Sequence, residues 1–285
     1  MRILTRCPKR VKYLLRFSSP FLTRLVAKKK FGRHGYDYTL IFKYLLVKQA
    51  CSLTYRDLEE ATGIHNSTLV KARAVFAQKQ VFLKFFRHLV KTLVERGLLT
   101  AEYVAVDGSF VETYSRRKEV GSAYWGKTCA HGFKLHALVD AQSEIPIAIV
   151  ITNGKVHDSQ LLIPLCKKLT SYKLKPSYVI ADKAYDSDDL VAYIIQKLSA
   201  CASIPVRAKA KQSAVNLAAK QVGRTDDRTV YRKRTSVERV FSYLKGKYHL
   251  GQEKTRGIAN FLINVFLSAI CLILEKFRGW EVKVP

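Results

Sequence analysis

Three carboxylates in this chain have positions that suit metal-dependent chemistry. Asp107 ends the apolar run 103–107, and Asp182 ends a second apolar run of the same form, 178–182. Buried strands that end in polar residues place them at the edge of an α/β sheet where ligand sites gather. Two neighbouring aspartates are costly to bury unless a divalent cation bridges them. Glu238 is predicted to complete a set of three metal ligands.

Carboxylate oxygens of this kind favour Mg²⁺ or Mn²⁺ over zinc, and we expect two ions. About 4 Å apart, such ions activate an attacking oxygen and stabilise the leaving oxygen of a phosphodiester. The six cysteines are scattered and form no C-x-x-C pair. Their spacing argues against a zinc site and against a dense disulfide framework.

The basic stretch 231–245, in which Glu238 is the single acidic residue, has two interpretations. In a helix, Arg234, Glu238 and Lys245 share one face because they follow one another at offsets of four and seven residues. A solvated helix would gain only about a few tenths of a kcal/mol from its Arg–Glu pair. The alternative is a metal-binding carboxylate flanked by phosphate-binding cations. Both interpretations stay open on this segment alone.

The balance of charge points to a polyanionic partner. With 50 basic and 22 acidic residues the formal net charge is +28, and a compact domain tolerates such self-repulsion more readily when a polyanion neutralises it. Nucleic acid is the leading partner, with an anionic membrane surface or a ribosome-like structural role as alternatives. The apolar stretch 258–274 carries Asn260, Asn264 and Ser268 at a spacing of four. This polar stripe favours a buried packing helix over a membrane span.

The order of the predicted elements indicates an α/β domain with a mixed sheet. Two strands joined by a polar turn follow the first strand, and strands and helices then alternate, which is typical of a sheet of mixed direction flanked by helices. The predicted strands cover 103–107, 134–140, 145–152, 178–182 and 202–205, and the predicted helices cover 159–169 and 187–198. A polar basic loop is expected over 206–228.

Residues 36–98 have helical periodicity and include a candidate helix-turn-helix. Thr54 is predicted to cap its first helix, Gly63 to make the turn, and Asn66 or Ser67 to cap its second helix. An ordinary helical hairpin is the alternative, since glycine turns between short helices are common. The second helix carries the residues that we expect to contact DNA, namely Thr68, Lys71 and Arg73.

The basic stretch also carries a resemblance to a known family. Its residues Tyr231, Arg234, Glu238 and Lys245 meet in full the Y-x2-R-x3-E-x6-K signature of DDE-class transposases of bacterial or archaeal insertion sequences. These transposases have an RNase H-like catalytic fold.

Three further motifs support the resemblance, which covers about residues 38–275. Residues 181–186 are similar to the family's A-D-K-G-Y-D motif, with Ala184 in place of the glycine. Asp107 fits the first aspartate of the family. The connecting segment is matched by residues 131–136 together with Thr152, His157 and Asp158.

The resemblance implies that Asp107, Asp182 and Glu238 are the metal ligands of a DNA transposase. It implies that Arg234 and Lys245 contact DNA phosphates near the active site, and that Tyr231 supports the same face. Water would cleave the ends of the element, and the freed 3′-hydroxyl would attack target DNA at the same metal site. The alternatives are a catalytically inactive or domesticated DNA-binding protein and an RNase H-like nuclease without strand transfer.

The expected organisation is a basic arm at 1–35, a helical DNA-binding region at 36–98, an RNase H-like catalytic domain at 99–278 and a tail at 279–285. Its expected partner is double-stranded DNA, both the terminal inverted repeats of the element and the target. Joining two ends implies a homodimer in the active complex. The expected location is the prokaryotic cytoplasm, in association with the nucleoid.

Several other polar residues have competing interpretations. Lys134 and His136 alternate on one face of a strand, from which they reach either the metal site and DNA or the solvent. Asp158 is expected to cap a helix rather than to belong to an HD-type phosphohydrolase site. Trp125 is expected to pack in the core rather than to stack on an unpaired base. Asp186, with Asp188 and Asp189, is expected to lie in the first turn of a helix.

Overall fold

Six strands form one mixed sheet in the computed structural model of the protein, which describes residues 8–26, 35–207 and 221–277. In chain order the strands are β1 Tyr103–Glu112, β2 Ala123–Trp125, β3 Ala130–Asp140, β4 Ile145–Asn153, β5 Tyr178–Ile180 and β6 Cys201–Ser203. The helices are α1 Pro8–Arg16, α2 Pro20–Leu25, α3 Tyr38–Cys51, α4 Tyr55–Thr62, α5 Asn66–Gln78, α6 Val81–Glu95, α7 Leu162–Ser171, α8 Asp188–Leu198, α9 Arg228–Arg232, α10 Thr235–Ser242 and α11 Ile258–Lys276.

The described residues group into two compact units. An α/β unit comprises 90–242 and 254–258, and a helical unit comprises the described residues up to Leu89, residues 243–253 and the described residues from Ala259 onward. The helical N-terminal region and the mixed α/β sheet flanked by helices are thus confirmed.

Antiparallel and parallel pairs meet at β1. Strand β3 pairs antiparallel with β1, β2 and β4, whereas β1 pairs parallel with β5, and β5 pairs parallel with β6. The predicted hairpin is therefore β3–β4, which is longer at its start than the sequence indicated. Strand β2, which has three residues, was not predicted.

Both long central strands are covered by other parts of the α/β unit. Strand β3 is buried along almost its whole length, and α7 packs against β3 and β4 while α10 packs against β1 and β3. In α10 the residues Val237, Val240 and Phe241 are buried, so the opposite side of this helix carries its charged residues. The sheet and these helices fix the positions of the carboxylates described below.

The helical unit has an aromatic core. The ring of Phe42 in α3 stacks on Phe82 at 5.5 Å between centroids and meets Phe76 and Phe85 edge-on at 5.9 and 5.3 Å. Each such pair contributes about 0.5–1.5 kcal/mol of stability beyond the hydrophobic contribution of the area that it buries. The core therefore ties α3 to α5 and α6.

The N-terminal segment differs from the predicted basic arm. Residues 8–25 contain α1 and α2, which bury Leu14 and Leu22 completely. The apolar residues here are few but fall on the inner side of two short helices, so a period was hard to detect among the cations. Residues 1–7 and 27–34 of the arm lie outside the described residues, as do the predicted tail at 279–285 and most of the predicted basic loop, 208–220.

Helix α11 is long and apolar enough to cross a membrane by length and composition, but 72% of its apolar window is buried inside the protein. Its polar stripe has a partner in α5. The guanidinium of Arg73 donates to Oδ1 of Asn260 at 3.0 Å and to Oδ1 of Asn264 at 2.9 Å. These bonds explain the asparagines and agree with the predicted packing helix.

Candidate active site

Asp107 and Asp182 lie at matching positions of two neighbouring parallel strands. The register pairs Val104 with Val179 and Ala105 with Ile180, so each aspartate stands two residues beyond the last pair, on the same face. Both side chains are half-buried. The two aspartates are therefore neighbours, as the sequence predicted, but the predicted end of the first strand at Asp107 is wrong. Strand β1 continues to Glu112 because it stays paired with β3, so Asp107 lies in mid-strand and only Asp182 follows the end of its strand.

Backbone donors orient both carboxylates. The N–H of Gly108 donates to Oδ1 of Asp107 at 2.8 Å, and the N–H of Ala184 donates to Oδ1 of Asp182 at 2.8 Å. The second bond belongs to the short 3₁₀ turn Lys183–Tyr185, which Asp182 caps. Alanine at position 184 preserves this contact, because the backbone makes it.

The electrostatic environment disfavours a bare negative charge on Asp107. Burial is the main cause that raises its pKa to about 6; the carboxylates of Asp182 and Asp158 act in the same direction, and the Gly108 N–H and Arg234 oppose them. Desolvation and like charge both favour the neutral form of a carboxyl group. A cation beside Asp107 and Asp182 would relieve both effects.

Glu238 reaches this region from α10 through Arg234. The guanidinium of Arg234 lies between two carboxylates: its Nη1 is 3.2 Å from Oδ2 of Asp107, and its Nη2 pairs with Oε1 of Glu238. The side chain of Glu238 is 48% exposed. The Arg–Glu pair of the first interpretation is thus present, and the same guanidinium contacts the first aspartate. The metal-binding interpretation of Glu238 stays a prediction.

The donor chemistry fits a hard divalent cation at Asp107 and Asp182. Within residues 8–26, 35–207 and 221–277, no group of three or more His, Cys, Asp or Glu side chains is gathered closely enough to hold a metal ion. The carboxylate of Glu238 is paired through Oε1 with Arg234. Binding a metal ion through that oxygen would require Glu238 to give up this partner.

The remaining residues of the signature lie in different elements. Tyr231 is in α9, and its ring centroid is 5.9 Å from Cζ of Arg234. Lys245 belongs to the π-helical turn Tyr243–Lys247, which groups with the helical unit.

The candidate helix-turn-helix is formed by α4 and α5. Thr54 and Asp57 make a reciprocal capping box at the start of α4, and Gly63 ends this helix with a φ of +67°. The cap of α5 is His65, not Asn66 or Ser67 as predicted, since its ring accepts from the N–H of Ser67. The chain enters α5 one residue earlier than the sequence indicated.

The three predicted DNA contacts on α5 have different environments. Lys71 is exposed and Thr68 is half-buried, whereas Arg73 is only 8% exposed and bonds to the asparagines of α11. An offset of two residues turns a side chain to the far side of a helix, which explains the difference between Lys71 and Arg73. We therefore assign Arg73 a structural role.

A buried polar cluster, which we call the Asp158 cluster, lies next to β1 and comprises Lys134, His136 and Asp158. Lys134 and His136 are 5% and 0% exposed, so neither is the solvated side chain that one interpretation expected. Nζ of Lys134 is 2.7 Å from Oδ2 of Asp158, and Nδ1 of His136 is 3.2 Å from Oδ1. Asp158 does not cap the following 3₁₀ turn, because His157 does so.

Trp125 stacks on Phe110 at 5.2 Å but is half-buried on the short strand β2, not enclosed in the core as expected. Asp188 and Asp189 lie in the first turn of α8 as expected. Asp186 does not. Its carboxylate is buried against Arg224 at 2.6 Å, with side-chain exposures of 3% and 1%.

The mixed sheet flanked by helices has the architecture of an RNase H-like domain. The family model described as "Transposase DDE domain" matches residues 100–274. A protein of Brucella ovis named "Putative transposase for insertion sequence element IS6501" is 37% identical over 142 residues, which cover 50% of this chain and 98% of that protein. The chain therefore belongs to the DDE-domain family of insertion-sequence transposases.

Solved transposase structures resemble the chain at low sequence identity. The piggyBac transposase synaptic complex with hairpin DNA is 10% identical with a TM-score of 0.56, covering 97% of this chain and 76% of that one, which shows a shared fold. The Mos1 transposase paired-end complex is 12% identical over 78% of this chain and 82% of that one. Its TM-score is 0.26, which is too low to show a shared fold.

Family membership makes this chain a DNA transposase, a DNA-binding and DNA-cleaving enzyme of a family that generally uses divalent metal ions. Neither the described part of the chain nor the comparisons favour the catalytically inactive alternative.

Proposed function

We propose that Asp107, Asp182 and Glu238 bind two Mg²⁺ or Mn²⁺ ions, with which the protein cleaves the ends of its element and transfers them to target DNA. The register that puts Asp107 beside Asp182 supports this most strongly, because it is a property of the backbone. Like-charged, half-buried carboxylates on neighbouring parallel strands favour a cation partner. Glu238 completes the set once its carboxylate leaves Arg234.

Each residue has a defined task in this proposal. Gly108 and Ala184 hold Oδ1 of the two aspartates through their N–H groups, which limits rotation of the carboxylates. Bound metal ions supply activation of the attacking oxygen and charge stabilisation at the leaving oxygen. Arg234 and Lys245 hold DNA phosphates near the cleaved bond, and Tyr231 packs beside the guanidinium of Arg234.

The same site serves two displacements at phosphorus. In the first, water attacks the phosphodiester at the end of the element, the bond to the 3′-oxygen breaks, and a 3′-hydroxyl is left. In the second, that hydroxyl attacks a phosphodiester of the target, forms a new bond and expels the target's own 3′-oxygen. Both steps have the same charge distribution, so one set of carboxylates suits both.

Metal dependence tests this proposal directly. We expect the protein, freed of metal with EDTA, not to cut a labelled duplex that carries the terminal repeat of its element, and to regain cutting with Mg²⁺ or Mn²⁺. DNA binding in EDTA should persist at low salt, since the +28 net charge supplies most of it. Cutting at the full rate in EDTA would exclude the metal site.

We further propose that α5 reads the element ends. One side of α5 is exposed and forms a single stripe, because its residues recur at the three- and four-residue spacing of a helix face. The stripe consists of Ser67, Val70, Lys71 and Ala74. The opposite side of α5 is buried through Leu69, Ala72, Arg73 and Phe76. Such a second helix of a helix-turn-helix is the element that enters a major groove.

Lys71→Ala should weaken binding of the terminal repeat and lower the dependence of the binding constant on salt by about one unit of log–log slope, as expected for the loss of one phosphate contact. Lys84→Ala is the matched control, because Lys84 is an exposed lysine of α6 away from the stripe. Fluorescence anisotropy over a range of salt concentrations measures both. Equal slopes for the two variants would contradict the assignment of α5.

The proposed partners are the terminal inverted repeats and target DNA, both double-stranded. Two ends must be cut and joined together, so we propose a homodimer in the active complex. We also propose that the protein works in the prokaryotic cytoplasm, on the nucleoid.

A further inference from the structure

We propose that Lys134, His136 and Asp158 are positioning residues that act on Asp107 through the backbone of Gly108. The inference rests on the proposed catalytic role of Asp107. It assigns a task to the most deeply buried ionic group next to β1, which the sequence motifs leave unexplained.

The Asp158 cluster lies on the other face of the sheet from Asp107. Successive side chains of a strand point to opposite faces, so Asp107 faces α10 while position 108 faces the turn that leads into α7. The register places His136 directly opposite Gly108. The cluster is therefore behind the candidate active site and not in it.

Contact between the cluster and β1 is made at Gly108. A β-carbon at this position would overlap Oδ1 of Asp158 and would lie 3.1 Å from Nδ1 of His136. A glycine here allows the carboxylate to press directly against the backbone of β1. The same glycine donates its N–H to Oδ1 of Asp107 at 2.8 Å, so its peptide plane sets the direction of that carboxylate.

Asp158 is in turn held on two sides. Lys134 neutralises it at 2.7 Å and also lies 3.4 Å from the carbonyl oxygen of Val156. Nε2 of His136 is 2.9 Å from Oγ1 of Thr152, which fixes the ring between β4 and Asp158. A series of contacts thus leads from Lys134 and His136 through Asp158 and Gly108 to Asp107.

Removing the charged groups of Lys134 and Asp158 from water costs desolvation free energy, which stability alone would not justify. Desolvating a lysine and an aspartate together is often no better than replacing them with apolar residues of similar volume. An ionic group is more useful where it fixes one arrangement of a neighbouring backbone. Supporting residues behind metal ligands typically change activity or metal affinity about 10- to 100-fold when they are altered.

The test uses the full-length variants Asp158→Asn, Lys134→Met and the double variant with both changes. Four quantities are measured: the single-turnover rate of cleavage at saturating terminal-repeat DNA, the affinity for Mn²⁺ by electron paramagnetic resonance, the affinity for DNA, and the urea midpoint. Asp140→Asn is the control, because Asp140 is a buried aspartate of β3 that bonds to Ser143 of the following turn and not to the cluster.

We expect each single variant to lose about 10- to 100-fold in cleavage rate and in Mn²⁺ affinity while its DNA affinity is kept. The double variant has no unpaired buried charge, so its urea midpoint should recover toward wild type while its rate does not. Asp140→Asn should lower the midpoint without changing the rate. A rate that follows the midpoint through all four variants would show a purely structural cluster and overturn the inference.

Gly108→Ala gives a second test that removes no charge and substitutes no residue of the cluster. Its methyl group must displace Asp158 or the backbone of β1. The same loss of rate and of Mn²⁺ affinity is therefore expected. A wild-type rate in this variant would also overturn the inference. Failure of the proposed function is recognised separately by Asp107→Asn, which would then keep the wild-type cleavage rate and the wild-type affinity for Mn²⁺.

Discussion

Asp107→Asn and Asp182→Asn should each lower metal-dependent cleavage of terminal-repeat DNA about a thousandfold. Asparagine keeps the oxygen that accepts from the N–H of Gly108 or Ala184, so the backbone arrangement is preserved. What it removes is a negative charge that holds the metal ions. Losing ~4 kcal/mol of transition-state stabilisation, as expected for metal-assisted chemistry, corresponds to about three factors of ten.

DNA binding should not fall in these two variants. Removing a carboxylate from a protein of formal charge +28 makes it more attractive to phosphates. Gel-shift affinity measured beside single-turnover cleavage therefore separates the site from the DNA-binding surface. Asp189→Asn, an exposed aspartate in the first turn of α8, is the control and should cut at the wild-type rate.

Glu238→Gln tests the third ligand and the exchange that it requires. The variant loses the charge that pairs with Arg234, so Arg234 keeps only Asp107 as a partner among the bonds described above. We expect a loss of cleavage comparable to that of the aspartate variants. Wild-type cleavage by any of the three would exclude that residue as a metal ligand.

Much of this site could be predicted because its geometry follows from local pattern. Two apolar runs that each lead into an aspartate predicted two buried strands, and the parallel pairing of β1 with β5 brings Asp107 and Asp182 together. The end that the sequence predicted at Asp107 is not there, since pairing with β3 carries β1 on to Glu112. The Arg234–Glu238 pair is local, at an offset of four residues, and needed no knowledge of distant contacts.

The parts that the sequence could not give depend on distant partners. Arg73 was expected at the DNA surface, but its partners Asn260 and Asn264 are 187 and 191 residues away. The Asp158 cluster joins Lys134 of β3 to residues 22 and 24 positions later in the chain. From the alternation alone, Lys134 and His136 could equally have faced the solvent. Alternation shows which residues share a face, but not what covers that face.

Asp186 is a similar case, and it carries the largest expected effect on stability. Its place before α8 suggested a charge favoured by the helix dipole, but its carboxylate is enclosed by Nη2 of Arg224 at 2.6 Å and the N–H of Arg207 at 2.7 Å. Arg224 in turn donates to the carbonyl oxygen of Ile204 at 3.0 Å. The pair thus links the loop after β6 to the turn that follows Asp182.

Arg224→Met should lower the free energy of unfolding of the α/β unit by about 3–5 kcal/mol, because it removes the buried cation that compensates the charge of Asp186. Asp186→Asn should lower it by a similar amount, because the buried guanidinium of Arg224 then loses the carboxylate that compensates its charge. In the double variant no charge is left uncompensated, so its loss should be much smaller than the sum of the two. Urea unfolding followed by Trp125 fluorescence, with Trp280→Phe as background, measures all three.

An exposed ion pair of the same unit provides the contrast. Lys91 and Glu95 lie 3.5 Å apart on α6 with side chains 66% and 59% exposed, so Lys91→Met should cost no more than about 0.5 kcal/mol. If Arg224→Met cost equally little, water would have to reach Asp186 and the pair would not be a buried anchor. If Arg224→Met costs about 3–5 kcal/mol, the buried pair fixes Asp186 at the C-terminal end of the turn Lys183–Tyr185. Asp182 stands at the N-terminal end of the same turn, so contacts that stabilise the fold then also hold Asp182 in place.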